Sequence, residues 1–138
     1  LHLLSRRQRQ MCIRDRIVYG DDGLDEISIS STTSVCEIDG DEIKGYTIDP
    51  EELGLTLAKK EDIVGGTADE NAVITKDILT GKEQGAKRDI VLLNAGAALY
   101  TIGKAGTIKD GVKLAAEMID SGKANEKLEQ FIAYTNVK

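Results

Sequence analysis

The chain has 138 residues, enough for one domain with a modest core. Its hydrophobic share of 41% and charged share of 30% are ordinary for a globular domain. A net charge of −6, with no basic stripe beyond the N-terminus, argues against a nucleic-acid binder, and no apolar run approaches the ~20 residues of a membrane span.

Leu1 to Arg16 stands apart from the rest of the chain. Five arginines (Arg6, Arg7, Arg9, Arg14, Arg16) face a single acid, Asp15, a net of +4 that leaves −10 on the remainder of a chain totalling −6. The segment lacks the long apolar core and small-residue cleavage site of a secretory signal. It also lacks the aromatic residues that would let an arginine-rich arm stack on bases. Met11-Cys12-Ile13-Arg14-Asp15-Arg16 resembles translated adapter sequence joined to a truncated gene. Residues 1–16 are therefore expected to be a foreign leader, disordered or helical without a docking site, and residues 17–138 the folded unit.

Ile17-Val18-Tyr19 reads as the end of a buried strand. The next stretch, Gly20-Asp21-Asp22-Gly23-Leu24-Asp25-Glu26, crowds four carboxylates between and after two glycines. Such crowding is unfavourable unless a cation or hydrogen-bond donors offset it. Two readings stand at this point: an acidic surface turn, because Asp-Gly is a turn signal, or a loop whose hard oxygens hold magnesium together with a substrate phosphate.

Thr33 to Ile38 alternates as a strand, Asp39-Gly40 is a hairpin signal, and Glu42 to Ile48 answers it with Tyr46 and Ile48 on one face. Asp49 fits an N-cap before Pro50 and the acidic Glu51 and Glu52, a helix start that Gly54 stops. Gly65-Gly66 could cradle a phosphate at a helix N-terminus. With no lysine beside it, the pair reads better as a loop feeding an N-cap at Thr67, with Glu70 completing a capping box. Apolar residues at helical spacing then run from Ala72 to Leu79 and stop at Gly81.

Ala86 to Ile102 is the most apolar helix, with Asp89 as its expected cap and Asn94 as a buried amide satisfied within the fold. Thr107 caps the next helix, whose stripe Val112, Leu114, Ala115, Met118 and Ile119 ends at Ser121-Gly122. A final helix, Ala124 to Tyr134, is expected to turn Leu128, Phe131 and Ile132 inward. The two cysteines, Cys12 and Cys36, have no metal-ligand spacing, so a reduced cytoplasmic setting is the default.

Tyr19 to Ser28 is similar to the D-G-L-D-E-I-S signature of the anthranilate phosphoribosyltransferase family, which makes tryptophan. Pro50 to Leu55 is similar to that family's P-E-x-x-G-L passage, Leu92 to Tyr100 to its L-L-N-A-x-x-A-L-Y run, and Gly111 to Ala124 to its G-x-x-L-A-x-x-x-I-D-S-G-x-A passage. The resemblance implies the C-terminal part of a large α/β catalytic domain of the nucleoside phosphorylase/phosphoribosyltransferase type. Here that part is expected as a small mixed sheet with a β-hairpin and C-terminal helices.

It further implies magnesium held by Asp25 and Glu26. The implied substrates are phosphoribosyl pyrophosphate and anthranilate, and the implied full-length form is a homodimer. The family's G-T-G-G-D phosphate loop and K-H-G-N segment do not occur in this sequence, so no catalytic or substrate-contacting residue carries over. A non-catalytic nucleic-acid-binding homologue, or a pyrimidine nucleoside phosphorylase relative on the same fold, is the alternative. A segment of this kind should leave apolar surface bare and carry its helices on one side of the sheet.

Overall fold

The structure, a computed structural model, describes residues 14–136. The expectations for residues 1–13, Cys12 included, lie outside them. Three strands form one sheet in the order β1 (Arg14–Gly20), β2 (Thr33–Asp39), β3 (Glu42–Ile48). Both pairings are antiparallel, so the sheet is not the mixed one expected. The physical reason is connectivity. A two-residue turn returns β3 alongside β2, and the residues between Gly20 and Thr33 fold back as a loop instead of crossing the sheet as a helix, the usual link between parallel neighbours.

Strand β1 also begins earlier than Ile17. Arg14, Asp15 and Arg16, read from composition as leader, pair with Asp39, Ile38 and Glu37. Their charge set them apart in the sequence; their backbone hydrogen bonds make them sheet. The β2–β3 register places Asp39 opposite Glu42, leaving Gly40 and Asp41 as the turn. Gly40 has φ +61° and, among the described residues, no non-glycine residue has positive φ, which is the pattern of a type II′ turn with glycine first.

The register sorts the side chains into two faces. One carries Arg16 and Val18, Thr33, Val35 and Glu37, and Tyr46 and Ile48, and it closes on the core. The other carries Ile17, Tyr19 and Ile43, which are 63%, 56% and 71% exposed, so the helical layer covers one side of the sheet only. The bare apolar surface expected of a segment is present there.

Pro50 to Gly54 is a hydrogen-bonded turn rather than a helix. Asp49 Oδ1 accepts from the Glu51 amide at 2.9 Å as a cap would, but Gly54 at φ +87° ends the run before a second turn forms. A short 3-10 helix, Lys60–Ile63, follows that no sequence signal announced. Four α-helices follow among the described residues: α1 (Ala68–Leu79), α2 (Ala86–Thr101), α3 (Ile108–Asp120) and α4 (Lys123–Thr135).

Helix α1 starts as its sequence predicts. Thr67 accepts from the Glu70 amide while the Glu70 carboxylate accepts from the Thr67 amide at 2.7 Å. The Gly65-Gly66 bend is taken up by Asn71, which accepts from the Gly66 amide at 2.8 Å. Thr107 caps α3 by accepting from the Asp110 amide at 3.1 Å. Helix α2 is not capped by Asp89. Gly85 occupies the N-cap position and Asp89 lies in the first turn, where burial pushes its carboxyl up despite the neighbouring Arg88 charge. The inward stripe expected of α4 holds only in part: Leu128 is half-buried, but Phe131 is 63% exposed and Ile132 42%, because this helix packs only lightly on α3 and α1.

The core is Ile27, Ile29, Val35, Ile48, Ile78, Leu92, Leu93, Ala97, Val112, Ala115 and Ile119. Its tightest seam is the crossing of α2 on α3, where Gly96 meets Gly111. A Cβ on Gly111 would fall against the Gly96 carbonyl oxygen, 2.8 Å from its carbon and 3.0 Å from its Cα. Helix backbone cannot swing aside as a side chain can. Gly111→Ala is therefore expected to cost about 2 kcal/mol net, the overpacking penalty outweighing the ~1 kcal/mol by which alanine favours a helix. Urea unfolding checks it, and a variant as stable as the wild type would show that the helices part freely.

Candidate functional site

The acidic loop joins β1 to β2, and its four carboxylates divide into two kinds. Asp21 and Asp22 are spent inside the loop. Thr32 Oγ1 and Ser34 Oγ donate to Asp21, the latter at 3.0 Å. Ser28 Oγ at 2.8 Å, Ser30 Oγ and the Leu24 amide at 3.3 Å donate to Asp22. The loop backbone closes on itself through Gly20, whose amide donates to the Leu24 carbonyl and whose carbonyl accepts from the Gly23 amide, both at 2.8 Å. Gly23, at φ +92°, makes that reversal without strain. Lys60 Nζ donates to the Asp22 carbonyl from the 3-10 helix.

These contacts set the charge state of Asp22. Burial alone would raise its carboxyl pKa. Hydrogen bonds from Ser30, Ser28 and the Leu24 amide, with the Lys60 charge, outweigh that and hold it below the ordinary value. A lowered carboxylate stabilises the fold fully above its unfolded pKa, near 3.8, and loses that contribution as pH falls through the folded value. Wild type and Asp22→Asn are thus expected to differ most in stability at neutral pH and to converge below about pH 4. Denaturant unfolding from pH 7 to pH 3 reads this directly, and a gap independent of pH would contradict it.

Asp25 and Glu26 are the other kind. Both are exposed, and neither carboxylate has a hydrogen-bond or ion-pair partner among the described residues. Immediately after them the chain dives into the core: Ile27 is 3% exposed and Ser28 and Ile29 are fully buried. The two free carboxylates thus sit at the rim of a loop whose other two carboxylates are hydrogen-bonded. Free, hard, anionic oxygens fit a hydrated magnesium, which takes one or two carboxylates and completes its shell with water and phosphate. Among the described residues, no three His, Cys, Asp or Glu side chains gather as a metal cage.

Sequence reasoning named Asp21 and Asp22 in the acidic cluster and Asn94 as a satisfied amide, but did not connect the supporting hydroxyls and Lys60 with the loop. Ser28, Ser30, Thr32 and Ser34 could have been found from the doubled Asp-Asp and the alternating hydroxyls that come after it. Nothing in the sequence tied Lys60 or Asn94 to this loop.

The glycosyl transferase family, a/b domain, matches residues 7–125, beginning inside the segment that composition had set apart. The anthranilate phosphoribosyltransferase of Methanobrevibacter smithii is 57% identical over 119 residues, covering 86% of this chain and 35% of its own. That of Desulfosudis oleivorans is 52% identical with the same coverage. Among solved structures, the anthranilate phosphoribosyltransferase of Thermus thermophilus superposes with a TM-score of 0.82 at 38% identity, covering 90% of this chain and 36% of that one. The Saccharomyces cerevisiae enzyme in complex with PRPP and Mg gives 0.78 at 32% identity, covering 86% and 34%. The chain spans about 35% of the length of the curated relatives it matches.

Proposed function

We propose, for a chain that belongs to the glycosyl transferase family through its a/b domain, that it is the C-terminal portion of an anthranilate phosphoribosyltransferase. The full protein transfers the phosphoribosyl group of phosphoribosyl pyrophosphate to the amine of anthranilate. It works in the cytoplasm as a homodimer. The observation that carries the reading is the division of labour in the acidic loop, where two carboxylates build the turn and Asp25 and Glu26 are left unspent.

In the transfer, the bond from ribose C1 to the diphosphate oxygen breaks and a bond to the anthranilate nitrogen forms. Positive charge builds on the ribose ring and negative charge on the departing diphosphate. Magnesium, when bound, neutralises and orients that leaving group. Asp25 and Glu26 are the residues of this chain that would hold it. Asp21 and Asp22 hold the loop in shape, and the hydroxyls donating to them offset the cost of keeping them charged there. No side chain of the described segment offers itself as nucleophile or general base, so this portion contributes charge and positioning.

The test is genetic. The full gene carrying this segment should restore growth of a tryptophan auxotroph lacking its own phosphoribosyltransferase. Failure by a well-expressed, folded product would refute the assignment.

A further inference from the structure

A side-chain amide of α2 ties the acidic loop to the helical layer. Asn94, in the middle of α2, accepts the Ile27 amide on Oδ1 at 3.1 Å and donates Nδ2 to the Ile27 carbonyl at 2.9 Å. Both main-chain groups of the residue following Glu26 are thus taken by a single side-chain amide. The second Nδ2 hydrogen goes to the Ile90 carbonyl at 3.0 Å, one turn back on the same helix. Three partners leave no freedom in the amide's orientation, since the Ile27 amide needs an acceptor and the two carbonyls need a donor.

Asp25 and Glu26 have no side-chain partners of their own among the described residues, so their direction is set by the backbone that carries them. On the upstream side that backbone is held by Asp22, and on the downstream side by Asn94. We propose that Asn94 is a positioning residue for the metal-binding carboxylates: by clamping both polar groups of Ile27 it fixes the peptide leaving Glu26 and pre-aims the Asp25–Glu26 pair. This rests on the magnesium reading of the loop. Groups that orient ligands from behind typically govern metal affinity about 10- to 100-fold, because an unaimed pair must be ordered at the moment of binding.

The experiment is a titration of the full protein with Mn2+ in the presence of phosphoribosyl pyrophosphate, followed by electron paramagnetic resonance. Hydrogen–deuterium exchange of the loop amides runs in parallel. Asn94→Ala is expected to weaken Mn2+ about tenfold and to speed exchange at Ile27, with the β2–β3 hairpin amides unchanged. Turnover should recover at high Mn2+, which a general loss of structure would not allow.

Mn2+ affinity within about twofold of wild type in a folded Asn94→Ala variant would overturn the proposal. Asp25→Asn and Glu26→Gln separate the two levels. If they too bind Mn2+ normally, the metal reading fails; if they weaken it and Asn94→Ala does not, only the positioning role fails. Should Asn94→Ala not fold, Asn94→Asp, which keeps the acceptor for the Ile27 amide, is read against the same threshold. If neither folds, the amide serves the fold alone and the proposal is wrong.

Discussion

Glu26→Gln and Asp25→Asn are each expected to lower kcat/KM for phosphoribosyl transfer by the full protein on the order of 10²–10³-fold, the usual loss on removing one preorganised charge-stabilising group. Both substitutions keep the side chain's shape, exchange one acceptor oxygen for an amide donor and remove one negative charge. Because neither carboxylate is engaged with the rest of the described chain, stability should stay within about 0.5 kcal/mol of wild type, as for surface changes away from any structural contact. That combination, full stability with crippled turnover, is what separates an unspent pair from a structural one. Asp22→Asn makes the contrast. It turns one of the two acceptor oxygens that serve three donors into an amide donor, so it should lower stability first and turnover through the loosened loop. Steady-state kinetics with magnesium varied, beside thermal unfolding, settles the matter. Wild-type kcat/KM in both Asp25→Asn and Glu26→Gln would leave the loop as no more than an acidic turn.

The parts of this fold legible in the sequence are those decided by neighbours along the chain. Thr67 and Glu70 lie three apart and close a capping box; Asp39-Gly40 closes a hairpin whose strands alternate; Thr107 caps α3 three residues before Asp110. Asp49-Pro50 gave the right local chemistry but only one turn, since a cap cannot propagate a helix that a positive-φ glycine cuts off. What stayed hidden depends on distant partners. Asp89 is a good capping residue, yet the loop entering α2 places Gly85 at the cap. Phe131 and Ile132 follow helical spacing, but spacing says which face is apolar and nothing about whether a neighbour covers it. In the site, the acidic cluster and its Asp-Glu step were visible, while the clamp from Asn94 crosses 67 residues. Arg16 is the sharpest case. Charge composition assigned it to a leader, and only the register that sets it opposite Glu37 reveals it as an interior residue.

That pair predicts the largest loss of stability in the chain. Arg16 donates to Glu37 through Nη2 at 2.6 Å and Nε at 3.2 Å, a two-pronged contact across β1 and β2, with side chains only 5% and 12% exposed. The guanidinium carbon also lies 4.1 Å from the centre of the Tyr100 ring on α2. Desolvation would weaken the cation, but the neighbouring Tyr46 and Tyr100 hydroxyls and the Glu37 charge more than offset it, so it stays charged. Glu37→Leu would leave that charge buried opposite an alkyl chain, with Nη1 already lacking a hydrogen-bond partner. The expected cost is about 3–5 kcal/mol, the range for breaking one side of a buried pair. The double variant Arg16→Leu/Glu37→Leu should recover most of it, since apolar residues of similar volume replace such pairs at little net cost. A double-mutant cycle in urea reads the coupling. If Glu37→Leu alone costs under about 1 kcal/mol, the guanidinium reaches water by another route and β1 is held by its backbone ladder alone. A large coupling, in contrast, makes this pair and Tyr100 the fixed end of the strand whose other end delivers Asp25 and Glu26.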